Sequence, residues 1–182
     1  MVFSLYKVMI KKIKDNIWQL TFKSFGSVVY LLKLDGKNVL IDTGSLENRE
    51  ELLEELKKLD LSPEEINIVF LTHGHYDHVG NIELFDKAKI YGSGEDFDCE
   101  RIIEINKQPI KEIKIIKTPG HTFGSVCFYM PEEKILFSGD TLFHNHGIGR
   151  TDFPNSSPRD MQSSLDELEN LEIKVLCPGH VD

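Results

Sequence analysis

Short apolar runs alternate with polar, turn-rich stretches along most of this chain. "VVYLLKLDGKNVLIDTG", residues 28–44, reads as two strands folded back around the Asp35-Gly36 dipeptide. "SLENREELLEELKKLD", 45–60, has helical spacing and puts Leu52, Leu53, Leu56 and Leu59 on one stripe. "SPEEI" predicts a capped helical turn, with Ser62 as cap, Pro63 at the first helical position and Glu65 closing a capping box. "INIVFLTH" is a buried strand, and "AKIYG", "RIIEI", "KEIKIIKT", "SVCFYM" and "KILFSGD" are further strand candidates. "SPRDMQSSLDELENL" repeats the cap signal at Ser157-Pro158 and carries Met161, Leu165 and Leu168 as its stripe. "EIKVLCPGH" is the last strand. No segment has the composition of a linker or a low-complexity tract.

The polar residues that follow these strands change the picture. "THGHYDHVG", residues 72–80, holds His73, His75, Asp77 and His78, in a chain with seven histidines in all. Strand ends also deliver His121 in "TPGH", Asp140 in "FSGD" and His180 in "CPGH". "TPGH" and "CPGH" are one device used twice: the apolar run stops, Pro and Gly turn the chain, and a histidine is presented. "VLIDTG" and "ILFSGDT" resemble each other as well, which hints at a duplicated half. Loops over the edge of a rigid sheet commonly carry a metal site. Five histidines and two aspartates can fill two adjacent positions. His73 and His75, two apart in a loop, can face one ion together with His121. Asp77 and His78 can turn to a second ion with His180, and Asp140 can bridge. Such a set leaves positions open for water, as catalytic sites do, whereas structural zinc sites more often use paired thiolates.

Composition narrows the classes. The 182 residues suit one domain, residues 1–182, with a sizeable core. With 21 basic and 30 acidic residues the net charge is −9, and no basic block offers a nucleic-acid surface. The start, "MVFSLYKVMIKKIK", has Lys7 inside its apolar run and does not read as a signal peptide. No run is long enough for a membrane helix. Cys99, Cys127 and Cys177 form no CxxC pair, which suits a reducing compartment. Each is expected to be a small buried side chain. The protein is therefore expected to be soluble and cytoplasmic, with a small-molecule substrate and neither nucleic acid nor membrane as partner.

H-x-H-x-D-H followed by a lone His, an Asp and a final His, each after a strand, resembles the metal signature of the metallo-β-lactamase superfamily. The resemblance runs through "VLIDTG", "THGHYDHVGN", "TPGHTFGS", "FSGDTLF" and "CPGH", nearly the whole chain. It implies an α/β fold, a four-layer αββα sandwich with the metal site along one sheet edge. It also implies that His73, His75 and His121 hold the first ion, Asp77, His78 and His180 the second, and Asp140 both. Asp42 in "IDTG" resembles the aspartate that orients a metal-binding histidine, fixing its tautomer and basicity. Two divalent ions are implied. Zinc is the expected metal, with iron and manganese left open because imidazole and carboxylate ligands accept all three.

The superfamily hosts many chemistries, so the fold does not choose the substrate. β-Lactamases of the commonest class carry Cys at the position of Asp140, so antibiotic hydrolysis is not expected. "GDTLFHNHGIGRTDFP" resembles instead the branch of glyoxalase II and persulfide dioxygenases, which act on thiol-carrier substrates. There a basic residue at the position of Arg150 holds the carrier, and a guanidinium fork suits a carboxylate. His144 and His146 stand where the family has small or apolar residues. They read as exposed loop residues, or as a proton shuttle or substrate contact, with His146 the candidate. The sequence ends at "GHVD", without the helical extension of hydroxyacylglutathione hydrolases, which puts glutathione itself in doubt. The leading expectation is a dinuclear hydrolase of thioesters or related acyl compounds, with Asp77 as catalytic residue. The alternative is an iron-dependent persulfide dioxygenase using chiefly His73, His121 and Asp140. A nuclease of the same superfamily ranks below both, given the acidic balance.

Overall fold

A computed structural model describes residues 9–106 and 109–181 of the chain. The part of the signal-peptide reading that rests on Lys7 lies outside these residues. Among the described residues, no helix is long and apolar enough to cross a membrane.

The chain divides into two compact units. The described residues of the first are 9–70 and 75–89. It contains strands β1 (Met9–Lys14), β2 (Ile17–Thr21), β3 (Val29–Leu34), β4 (Lys37–Ile41) and β5 (Ile68–Phe70), with helices α1 (Arg49–Lys58) and α2 (Tyr76–Val79). β1 to β4 pair antiparallel in chain order, and β5 adds parallel to β4. The β3–β4 hairpin closes where the Asp-Gly signal puts it. Leu34 and Lys37 are register partners, and both Asp35 and Gly36 have positive φ, as a primed two-residue turn demands. α1 buries Leu52 and Leu56, while Leu53 and Leu59 are half-buried. The predicted turn at 62–65 forms, and the Glu65 carboxylate accepts from the Ser62 N–H at 2.8 Å.

The described residues of the second unit are 71–74, 90–106 and 109–181. Its strands are β6 (Lys89–Gly92), β7 (Ile102–Glu104), β8 (Lys114–Lys117), β9 (Val126–Met130), β10 (Ile135–Gly139) and β11 (Val175–Pro178), with helix α3 (Pro158–Leu168). β6 and β7 run parallel. The other four form a sheet in the order β11-β10-β9-β8, with β10 parallel to β11 and the remaining pairs antiparallel. Every residue of β9 and β10 is buried, so both read as continuous apolar runs rather than alternating ones. In α3, Ser157 caps the helix by accepting from the Asp160 N–H. Met161 and Leu168 are buried as the stripe predicts, but Leu165 is only half-buried. Ser164 takes the inner place instead, donating to the Pro119 carbonyl at 2.7 Å.

The suspected duplication has a structural counterpart within each unit. β3–β4 is an antiparallel hairpin, then α1, then β5 parallel to β4, and the chain runs on to His73. β9–β10 is an antiparallel hairpin, then α3, then β11 parallel to β10, and the chain runs on to His180.

Cys99 departs from the sequence expectation: it is exposed, whereas Cys127 and Cys177 are buried. Its immediate neighbours, Asp98 and Glu100, are both acids that favour solvent. Burial pushes the Cys127 thiol up to about 11, with a hydrogen bond to Thr118 offsetting only part of that effect. Since the thiolate is the nucleophile, the folded protein should react through one thiol per chain with a chromogenic disulfide reagent near pH 8. All three cysteines should react after unfolding in guanidinium. Two fast thiols in the folded state would contradict this burial pattern.

Candidate metal centre

In the second unit the site grows from three strand ends. β8 ends at Lys117, and Pro119-Gly120 turn the chain towards His121. That turn is fixed by α3: the Ser157 N–H donates to the Gly120 carbonyl at 2.8 Å and Ser164 holds Pro119. Gly120 has a φ of 151° and lies against α3, where a Cβ would come within 2.6 Å of the Met161 Cβ. Any other residue would push the helix away and move His121 with it. β10 ends at Gly139, whose positive φ of 50° turns the chain into Asp140. β11 ends at Pro178, and the Gly179 N–H returns to the Gly139 carbonyl at 2.7 Å. This bond fixes the approach of His180 to Asp140.

The side chains converge. His121 Nε2 and His180 Nε2 each lie 3.5 Å from Asp140 Oδ2. The His73 and His121 rings meet edge to face with centroids 4.8 Å apart. His121 Nδ1 donates to the Arg150 carbonyl at 2.8 Å, which leaves the Nε2 lone pair turned towards Asp140. His73 Nδ1 is 3.1 Å from Thr72 Oγ1. Thr72 is itself fixed, since its carbonyl accepts from the Val126 N–H at 2.8 Å.

In the first unit, His75 precedes α2, and Asp77 and His78 lie on its single turn. His78 is fully buried, and its Nδ1 is 2.7 Å from Asp42 Oδ2. Asp42 follows β4 with a positive φ of 59°, a conformation that Asp tolerates better than most residues. That backbone turn aims the carboxylate at the imidazole. The turn is braced by the Thr43 N–H and hydroxyl, both donating to the His78 carbonyl, and by Asn81 Nδ2, which donates to the carbonyls of Thr43 and Ser45. The Asp77 carbonyl accepts from the Ser27 N–H at 2.9 Å.

Within the second unit, His121 and His180 flank the Asp140 carboxylate and the His73 ring packs against His121; within the first, His75, Asp77 and His78 are gathered at and just before α2. The donor chemistry fits divalent ions. The atoms are imidazole nitrogens and carboxylate oxygens, without a thiolate, as hard to borderline metals prefer. Two ligands on one tetrahedral ion, with bonds of about 2.0–2.1 Å, stand about 3.3–3.5 Å apart, close to the spacing seen here.

Other named residues lie differently. Arg150 is exposed, and its guanidinium already makes a bidentate pair with Asp152, with Nε and Nη2 each 2.9 Å from a carboxylate oxygen. It also stacks 4.6 Å from the centre of the Phe153 ring. Any substrate carboxylate would compete with Asp152 for that fork. Arg150 touches the site through its carbonyl rather than its side chain, a contact that no residue type announces. His144 and His146 are exposed on a short turn in which Asn145 and His146 have positive φ.

The comparisons agree on the family. The profile described as the metallo-beta-lactamase superfamily matches residues 24–96 and 92–180. Hydroxyacylglutathione hydrolase GloC of Haemophilus influenzae is 32% identical over 180 residues, covering 82% of each chain. The protein named Probable metallo-hydrolase MJ0296, from Methanocaldococcus jannaschii, is 33% identical over 108 residues. The chain spans only 53% of that relative's length, and 63% of a Caenorhabditis elegans Beta-lactamase-like protein 2 homolog at 32% identity. Among solved structures, TTHA1623 in a di-iron-bound form superposes with a TM-score of 0.77 at 26% identity, covering 90% of this chain and 92% of that one. ETHE1 from Myxococcus xanthus gives 0.74 at 26% identity, over 91% of this chain and 76% of that one. The profile match, the GloC similarity and these superpositions together place the chain in the metallo-β-lactamase superfamily, with its α/β fold.

Proposed function

We propose that the protein is a metal-dependent hydrolase of thioesters or related acyl conjugates of a small thiol carrier. The observation that carries this reading is the convergence of His121 and His180 on one oxygen of Asp140, with the His73 ring packed edge to face on His121. In it His73, His75 and His121 would hold one divalent ion and Asp77, His78 and His180 a second, with Asp140 as a ligand shared by both positions. Bound there, such ions would lower the pKa of a water and polarise a carbonyl. The chain's own residues do the rest. Asp42 and the Arg150 carbonyl hold the tautomers of His78 and His121, so that each presents a lone pair. With two ions bound Asp77 would be a ligand that helps place the attacking water; with one ion bound it would be free to take that water's proton. The sequence similarity to GloC supports an acyl-thioester substrate.

A second reading is a persulfide dioxygenase working with one iron ion. "GRTDF", 149–153, favours it, and the di-iron form of a 26%-identical structure supports iron as a candidate. A third substrate arm follows from the similarity to BLEG-1, described as a B3 metallo-beta-lactamase, at 26% identity and a TM-score of 0.72.

Elemental analysis of the purified protein, followed by turnover of thioesters, a persulfide and a β-lactam with and without dioxygen, separates these readings. Oxygen-independent thioester hydrolysis with metal bound is the expected result. Dioxygen uptake with a persulfide and no thioester turnover would replace it with the second reading.

A further inference from the structure

The loop after β6 carries a carboxylate that the functional reading has not used. Asp96 sits on a turn in which its own N–H and that of Phe97 both donate to the Ser93 carbonyl, at 3.0 and 3.2 Å. From there its side chain reaches two histidine-bearing loops. Oδ2 accepts from the Gly74 N–H at 2.9 Å and from Thr122 Oγ1 at 2.6 Å, and Oδ1 accepts from the Gly124 N–H at 2.9 Å. Gly74 directly follows His73, and Thr122 directly follows His121. The contact is built on both sides. A Cβ at Gly124 would lie 2.6 Å from Asp96 Cγ, and one at Gly74 would lie 3.1 Å from Asp96 Cβ, so two glycines keep room for this carboxylate. Thr122 is also buried and braced by Ser125 Oγ at 2.8 Å.

We infer that Asp96 is a positioning residue, a clamp that sets the spacing of His73 and His121 for the ion they share. An ionised carboxylate suits the task because it only accepts, and all three of its partners are donors. An amide in its place would turn an N–H towards another donor. The clamp works on His73 and His121, whereas Asp42 works on His78, so each ion has its own support. The inference rests on the reading of His73, His75 and His121 as ligands of one ion.

The test is zinc binding by the metal-stripped full chain, in competition with a chromophoric chelator. Wild type should take up two ions. Asp96→Asn should weaken one binding step by about 10–100-fold, the usual effect of losing a group that orients a ligand, and leave the other within about threefold. Asp42→Asn should give the crossed pattern, weakening the other step. A merely structural role for Asp96 would weaken both steps alike, and that result would overturn the inference, as would two unchanged steps. Should Asp96→Asn fail to fold, Thr122→Val removes one of the three bonds at constant size. It should reproduce the selective loss more mildly, and unchanged binding there would also overturn the inference. If wild type took up no zinc or other divalent ion, the ligand reading would fail first, an outcome distinct from loss of the clamp alone.

Discussion

Asp77→Asn is expected to keep the ion of His73, His75 and His121 and to lose about 10²–10⁴-fold in turnover, the usual weight of a general base. The amide has nearly the shape of the carboxylate, and Asp77 is anchored through its carbonyl to the Ser27 N–H, so the fold should survive. What changes is chemistry: an amide is neither a base nor a strong ligand. Asp77 is nearly buried, at 8% exposure, so bulk water is poorly placed to substitute for it. Metal content and kcat on the best thioester should be measured together. Near-normal thioester turnover would refute the hydrolase reading. If dioxygen consumption with a persulfide survived too, the oxidoreductase reading would gain, because there Asp77 stands apart from the iron ligands.

Asp140→Ala should have the larger effect on metal. Its Oδ2 is the common neighbour of His121 and His180, so on the proposed ligand set deleting the carboxylate removes a ligand from both positions at once. The Asp140 carbonyl still accepts from the Gly149 N–H at 2.8 Å, so the following loop keeps its course. Lewis-acid stabilisation amounts to several kcal/mol, and each 1.4 kcal/mol is tenfold in rate. Turnover should therefore fall by about 10³-fold or more, with fewer ions retained through gel filtration and an unchanged circular-dichroism spectrum. Full occupancy by two ions in this variant would contradict a bridging place for Asp140.

These expectations rest on residues that differ in how openly the sequence announced them. "TPGH" and "CPGH" are visible because Pro and Gly must end a strand, and the histidine after them has no role in a core. The β3–β4 hairpin was equally visible, because Asp-Gly is one of few pairs that tolerate two positive φ values. The β1–β2 hairpin leaves no such mark. In "MIKKIK" the lysines at 11, 12 and 14 are exposed, and the edge strand lacks the apolar alternation that marks a half-buried one. α2 is four residues long, too short to show a helical period. Asp96 lies in "GSGEDFDCE", among Glu95, Asp98 and Glu100, and nothing local separates it from solvated acids. Its three partners come from segments more than 20 residues away, which only the folded chain brings together. Arg150 drew attention for its guanidinium, yet the contact to His121 is through the backbone, which carries no residue-specific signal.

X-ray absorption at the metal edge of the loaded protein tests the central claim most directly. The account predicts a shell of nitrogen and oxygen ligands near about 2.0–2.1 Å if zinc is bound, with imidazole scattering and no sulfur. It further predicts a metal–metal distance of about 3.5–4 Å. A sulfur shell near about 2.3 Å would place the metal on cysteine, away from His73, His75, Asp77, His78, His121, Asp140 and His180, and would contradict the account.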